Sequence, residues 1–116
     1  HLAGKVAIVT GAGRGIGQRS AVRLAQLKVK TVLISRTEIQ LRETSDLVLQ
    51  AGGTPLIIAA DVGDPKSVDT IKSRILDERG QPLILINTGG MIGPIEPIWN
   101  TDTSSWITTR MENAGA

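Results

Sequence analysis

Four short apolar runs recur along the chain: KVAIVT at 5–10, TVLIS at 31–35, PLIIAA at 55–60 and PLILIN at 82–87. None alternates apolar with polar residues, as a strand with one wet face would. Each is continuous, the pattern of strands buried on both faces of a parallel sheet. Between them the apolar period lengthens to three and four. Over 37–51, Leu41, Thr44, Val48 and Ala51 repeat on that spacing, and Gly52-Gly53 supply a helix stop. Over 64–79, Asp64 suits the N-cap, Pro65 the first helical position, and Val68, Ile71 and Ile75 form one stripe that ends before Gly80. A further helix should begin near Gly15. The order β-α-β-α-β-α-β predicts an open α/β sheet with right-handed crossovers. No repeat, low-complexity tract or linker interrupts it. The least regular part, TGGMIGPIEPIWNTDTSS at 88–105, reads either as the rim of a site or as a long connection.

Composition narrows the function classes. A chain of 116 residues, 41% hydrophobic and 21% charged, makes one domain or part of one. A net charge of +2 and only two aromatic residues, Trp99 and Trp106, give no basic, ring-bearing surface for nucleic acid. The absence of cysteine removes a thiolate nucleophile, a disulfide framework and a cysteine zinc site. The single histidine, His1, leaves no material for a Ser-His-Asp triad or a histidine metal cluster. No apolar run approaches the roughly 20 residues of a membrane span, and no signal segment opens the chain. A cytoplasmic compartment is the expectation.

Chemistry concentrates at TGAGRGIG, residues 10–17, where the first strand should hand over to a helix. Such a junction binds phosphate, because free backbone N–H groups and the helix dipole point at an anion. The P-loop spacing fails, since Gln18 follows Gly17. The G-x-G-x-x-G fingerprint fails too: the sixth position is Ile16 counted from Gly11 and Gln18 counted from Gly13. G-x-x-x-G-x-G fits, through Gly11, Gly15 and Gly17.

Four motifs, in order and at successive strand ends, make the sequence resemble the short-chain dehydrogenase/reductase family. TGAGRGIG is similar to that family's T-G-x-x-x-G-I-G. Asp61-Val62, after the third run, stand where its members contact adenine, and NTGG, Asn87 to Gly90, where they carry N-N-A-G. Trp106 and Asn113 keep the W-x6-N spacing of the helix that bears the catalytic asparagine. The resemblance implies a Rossmann-like doubly wound parallel sheet of strand order 3-2-1-4, one partial dinucleotide-binding domain over 1–116. It implies that Gly11, Arg14, Gly15, Ile16, Gly17, Ser35, Arg36, Asp61, Val62, Asn87 and Gly89 line the cofactor, with Asn113 in the catalytic relay. The expected reaction moves a hydride between a nicotinamide and a ketone or secondary alcohol, a small-molecule substrate.

The tip of the second strand speaks to the choice of cofactor. An acidic side chain there would bind the 2′-hydroxyl of NAD(H), but position 36 is Arg, after Ser35. A guanidinium grips a 2′-phosphate as a charged fork, and Arg14 in the glycine loop is placed to reach the same group. Two arginines at one expected pocket favour NADP(H) over NAD(H), against the alternative that both are solvated surface charges. Glu38 stands near enough to compete for Arg36. For Asp61 the alternative is a plain turn residue, but Asp64 is the better helix cap.

The family's general acid/base tyrosine has no counterpart: the chain holds no Tyr, and no Lys after Lys72. The 116-residue chain alone is therefore expected to have no dehydrogenase turnover. A fourth strand as apolar as LILI would also be the sheet edge, an association hazard. It asks for a neighbour from beyond residue 116 or from another molecule, so a homo-oligomer or association through the exposed fourth strand is expected. A stand-alone nucleotide-binding or regulatory module, without catalysis, is the alternative reading.

Overall fold

A computed structural model describes residues 3–13, 15–61, 64–87 and 107–110. Its elements run β1 (Val6–Thr10), α1 (Gly15–Gln26), β2 (Lys30–Ser35), α2 (Glu38–Gln50), β3 (Pro55–Ala59), α3 (Pro65–Glu78), β4 (Ile84–Asn87) and β5 (Ile107–Arg110). The strands form one sheet in the order β3-β2-β1-β4-β5. Every neighbouring pair is parallel. Each apolar run becomes a strand and each three-four stripe a helix, and the sheet carries the 3-2-1-4 order within it.

The continuous apolar runs are explained by helices on both faces. One cluster joins Ala7, Val9, Leu33, Ile84 and Ile86 of the sheet to Leu24 and Ala25 of α1 and Leu41 and Val48 of α2. The residues between them on the strands, Val6, Ile8, Val32, Ile34, Leu56, Ile58 and Leu85, face the other way onto Ile71 and Ile75 of α3. A strand packed on both sides needs an apolar residue at every position, and β1 is buried along its whole length. The cap expected at Asp64 forms: its carboxylate accepts the Lys66 N–H at 3.0 Å, with Pro65 opening the helix.

Two expectations are corrected on the far side of β4. The fourth strand is not an edge, because β5 of the same chain pairs with it, Ile84 opposite Ile107 through Asn87 opposite Arg110. Association through an exposed fourth strand therefore loses its basis, and β5 takes the outer position. The same segment was expected to be the helix running from Trp106 to Asn113; Ile107–Arg110 is a strand instead. Ile107, Thr108 and Thr109 are β-branched in succession, which lowers helix and raises strand preference. The unpaired N–H and C=O groups of an apolar β4 supply the template. Asn113 and the 88–105 segment lie outside the described residues.

Candidate dinucleotide site

Parallel pairing brings all the strand ends to one rim. Thr10 closes β1 opposite Ile34 of β2 on one side and Asn87 of β4 on the other. Ser35 ends β2 opposite Ala59 of β3. Gly11, Arg36 and Asp61 thus follow three adjacent strands at the carboxyl edge. The glycine loop leaves β1 where the order reverses: β2 and β3 extend to one side and β4 to the other. Crevices at such switch points, outside the carboxyl ends of strands, are where open α/β sheets bind ligands.

Local conformation explains why the loop is rich in glycine. Gly11 and Gly15 adopt φ of 64° and 62°, the left-handed region that strains a residue with a Cβ. Gly17 is buried inside the first turn of α1. Gly13, which has no role in the G-x-x-x-G-x-G pattern, is required for another reason. A Cβ there would come within 2.8 Å of Gln40 Cβ, 2.9 Å of Gln40 Oε1 and 3.2 Å of Ser35 Oγ, so the loop lies directly on the start of α2. Gly13→Ala should cost about 1–3 kcal/mol by overpacking. Gln40→Gly should recover most of that loss, apart from up to about 1 kcal/mol for glycine in a helix. A double-mutant cycle in urea denaturation checks this, and additive single effects would show that the two residues do not meet.

Sequence of this kind belongs to a recognisable group. The family model of short chain dehydrogenases matches residues 5–113. The chain belongs to the short-chain dehydrogenase family. A short-chain reductase, NovJ, from Streptomyces niveus is 37% identical over 74% of this chain and 33% of its own length. L-sorbose reductase from Gluconobacter frateurii, solved with NADPH and L-sorbose, superposes with a TM-score of 0.72 at 33% identity, over 78% of this chain and 35% of its own. Carveol dehydrogenase from Mycobacterium avium, solved with NAD, gives 0.69 at 28% identity, over 78% and 36%. The chain spans about a third of the length of these relatives.

Within this short-chain dehydrogenase rim, several expected site residues have defined surroundings. Ser35 is half-buried, and its Oγ accepts the Thr37 N–H at 3.3 Å. Arg36 is exposed. Glu38 does not compete for it: its Oε2 accepts from Arg42 Nε at 3.2 Å and Nη2 at 3.1 Å, one helical turn along α2. Asp61 is exposed, and its carbonyl accepts the Asp64 N–H at 3.0 Å, just ahead of the α3 cap. Ile16 borders a cleft of about 360 Å3 between α1 and β4, lined also by Arg19, Ser20, Arg23, Leu24 and Ile86. Asn87 ends β4 at the rim. Arg14, Val62 and Gly89 lie outside the described residues.

Two residues of the site carry no motif signal. Thr44, fully buried on α2, donates its hydroxyl to the Ala12 carbonyl at 2.8 Å. Gln18 Nε2 donates to Thr44 Oγ1 at 3.0 Å and to the Gly13 carbonyl at 3.5 Å. A threonine in an otherwise apolar stripe is the signal that finds this pair, because a buried hydroxyl needs a partner. Among the described residues no group of three or more His, Cys, Asp or Glu is placed to hold a metal ion. Among them, too, no helix is long and apolar enough to cross a membrane.

Proposed function

We propose that this chain is the cofactor-binding part of an NADP(H)-dependent short-chain oxidoreductase acting on a small ketone or secondary alcohol. Residues 1–116 are read as one dinucleotide-binding domain of a cytoplasmic protein. The rim fits a dinucleotide on its own geometry: a loop with two left-handed glycines at the switch point, seated too closely on α2 for a side chain at position 13. Bound there, the nicotinamide supplies or accepts the hydride. The chain's part is to bind and orient. Backbone N–H groups of the loop and of the α1 N-terminus would face the pyrophosphate. Asp61 and Val62 would border the adenine, and Asn87 and Gly89 the ring-bearing half. Asn113 is assigned to the proton relay, and no tyrosine of these 116 residues exists to exchange the substrate proton.

The observation that carries the NADP(H) preference is Arg36. It follows β2 at the rim, exposed, with no ion-pair partner among the described residues, while the acid nearest in sequence, Glu38, is held by Arg42. Solved relatives of comparable similarity are described with NAD and with NADPH, so the choice rests on this residue and on Arg14. Calorimetric titration of the purified protein tests it. NADPH should bind at least about 10-fold tighter than NADH, the worth of one charge-assisted contact; equal or reversed affinities would overturn the preference. One observation favours the second reading, a binding module without catalysis: β5 covers β4 from within the same chain, so the sheet needs no outside strand there.

A further inference from the structure

The glycine loop is not held by its own turns alone. Both backbone groups of Ala12 are engaged by different elements: its N–H donates to the Ile34 carbonyl of β2 at 3.1 Å, and its carbonyl accepts from Thr44 of α2 at 2.8 Å. The next carbonyl, that of Gly13, faces Gln18 Nε2 at 3.5 Å, and the same amide donates to Thr44 Oγ1 at 3.0 Å. Ala12 and Thr44 are both fully buried. In a trans peptide the C=O and N–H of one unit point in opposite directions. Drawing the Ala12 carbonyl inward onto Thr44 therefore turns the Gly13 N–H the opposite way, away from that hydroxyl. A hydroxyl that accepts one hydrogen bond while donating another fixes the direction of both, so Thr44 sets the loop's orientation and Gln18 sets that of Thr44.

We propose that Thr44, oriented by Gln18, is a positioning residue that presets the glycine loop for the pyrophosphate of the dinucleotide. This rests on the reading of the rim as a dinucleotide site. Neither residue touches the ligand; both act through the backbone units they hold. The contribution is preorganisation, which raises affinity by removing the cost of ordering the loop on binding.

The test separates the pyrophosphate, which the loop's backbone would bind, from the adenosine 2′-phosphate, which the Arg14 and Arg36 side chains would bind. NADPH and adenosine 2′-monophosphate, which lacks the pyrophosphate, are titrated against the wild type and variants. Thr44→Val keeps the shape and removes the hydroxyl; it should weaken NADPH about 10-fold, the worth of a lost hydrogen bond and a stranded carbonyl, and weaken adenosine 2′-monophosphate, which lacks the pyrophosphate, clearly less. Thr44→Ser should restore NADPH binding. Half-buried Gln18→Met carries the same comparison if Thr44→Val does not fold, with the same selective loss of NADPH. Wild-type NADPH affinity in Thr44→Val or Gln18→Met would overturn the positioning role while leaving the dinucleotide site standing. Equal losses for both ligands would also overturn it, since a general loss of fold would not spare the shorter one. Failure of the wild type to bind either ligand would bring down the dinucleotide reading itself.

Discussion

Replacing Arg36 by Asp is expected to move the ratio of NADPH to NADH affinity by about 100-fold towards NADH, because two effects act in the same direction. On the proposed reading, the variant loses a guanidinium that meets a doubly charged 2′-phosphate and sets a carboxylate against that group, which penalises NADPH. The same carboxylate accepts from the free ribose hydroxyl of NADH, which favours the other cofactor. Glu38 does not blunt the change, since Arg42 holds it one turn into α2. Position 36 is exposed and outside both apolar clusters, so the melting temperature should stay within about 3 °C of wild type. Titration of both nucleotides against both proteins decides it. An unchanged ratio would mean that Arg36 does not meet the 2′ position.

The largest stability effect should come from α3. Among the described residues it is the one helix that contributes to the second apolar face, through Ile71 and Ile75, which are 1% and 0% exposed. Ile75→Ala removes buried methyl and methylene groups between the helix and Ile8, Ile34 and their neighbours. It should cost about 3 kcal/mol, a large part of the roughly 5–15 kcal/mol that holds a domain folded. Leu76, the next residue but turned outward and 38% exposed, should cost less than about 1 kcal/mol as Leu76→Ala. Urea denaturation of the pair measures the difference. Similar losses at both positions would show that α3 does not seat on the sheet by this stripe.

The strands were legible because double burial leaves no freedom: Ala7, Ile8 and Val9 must all be apolar when successive side chains meet opposite helices. The helices were legible from their ends as well as their stripes, Asp64-Pro65 above all. The rim followed from topology, since parallel strands deliver Gly11, Arg36 and Asp61 to one side. Less legible was whatever depended on contacts across the chain. Thr44 sits in the stripe as if it were apolar, and only the fold shows the Ala12 carbonyl above it. The spacing from Trp106 to Asn113 suits a helix, yet Ile107 to Thr109 have the branching of a strand, and pairing with β4 decides between them. Gly13 looks redundant beside three motif glycines until Gln40 is placed against it.

The placement of β1 in the middle of the sheet has a consequence for how the chain reaches this state. On one side β1 pairs with β2, Val6 opposite Lys30; on the other it waits for β4, Ala7 opposite Ile84. The second loop is about three times longer, which costs about 1 kcal/mol more in chain entropy. The β1–β2–β3 half, with α1 and α2 on its face, is contiguous in sequence and able to condense as a unit. It exposes one flank of β1 until the later segment arrives. The carboxyl rim straddles that seam, with the glycine loop and Arg36 on the β1–β2 side and Asn87 on the β4 side. On the proposed reading, a ligand that binds the glycine loop and Arg36 would draw that part of its grip from the β1–β2 side of the sheet alone.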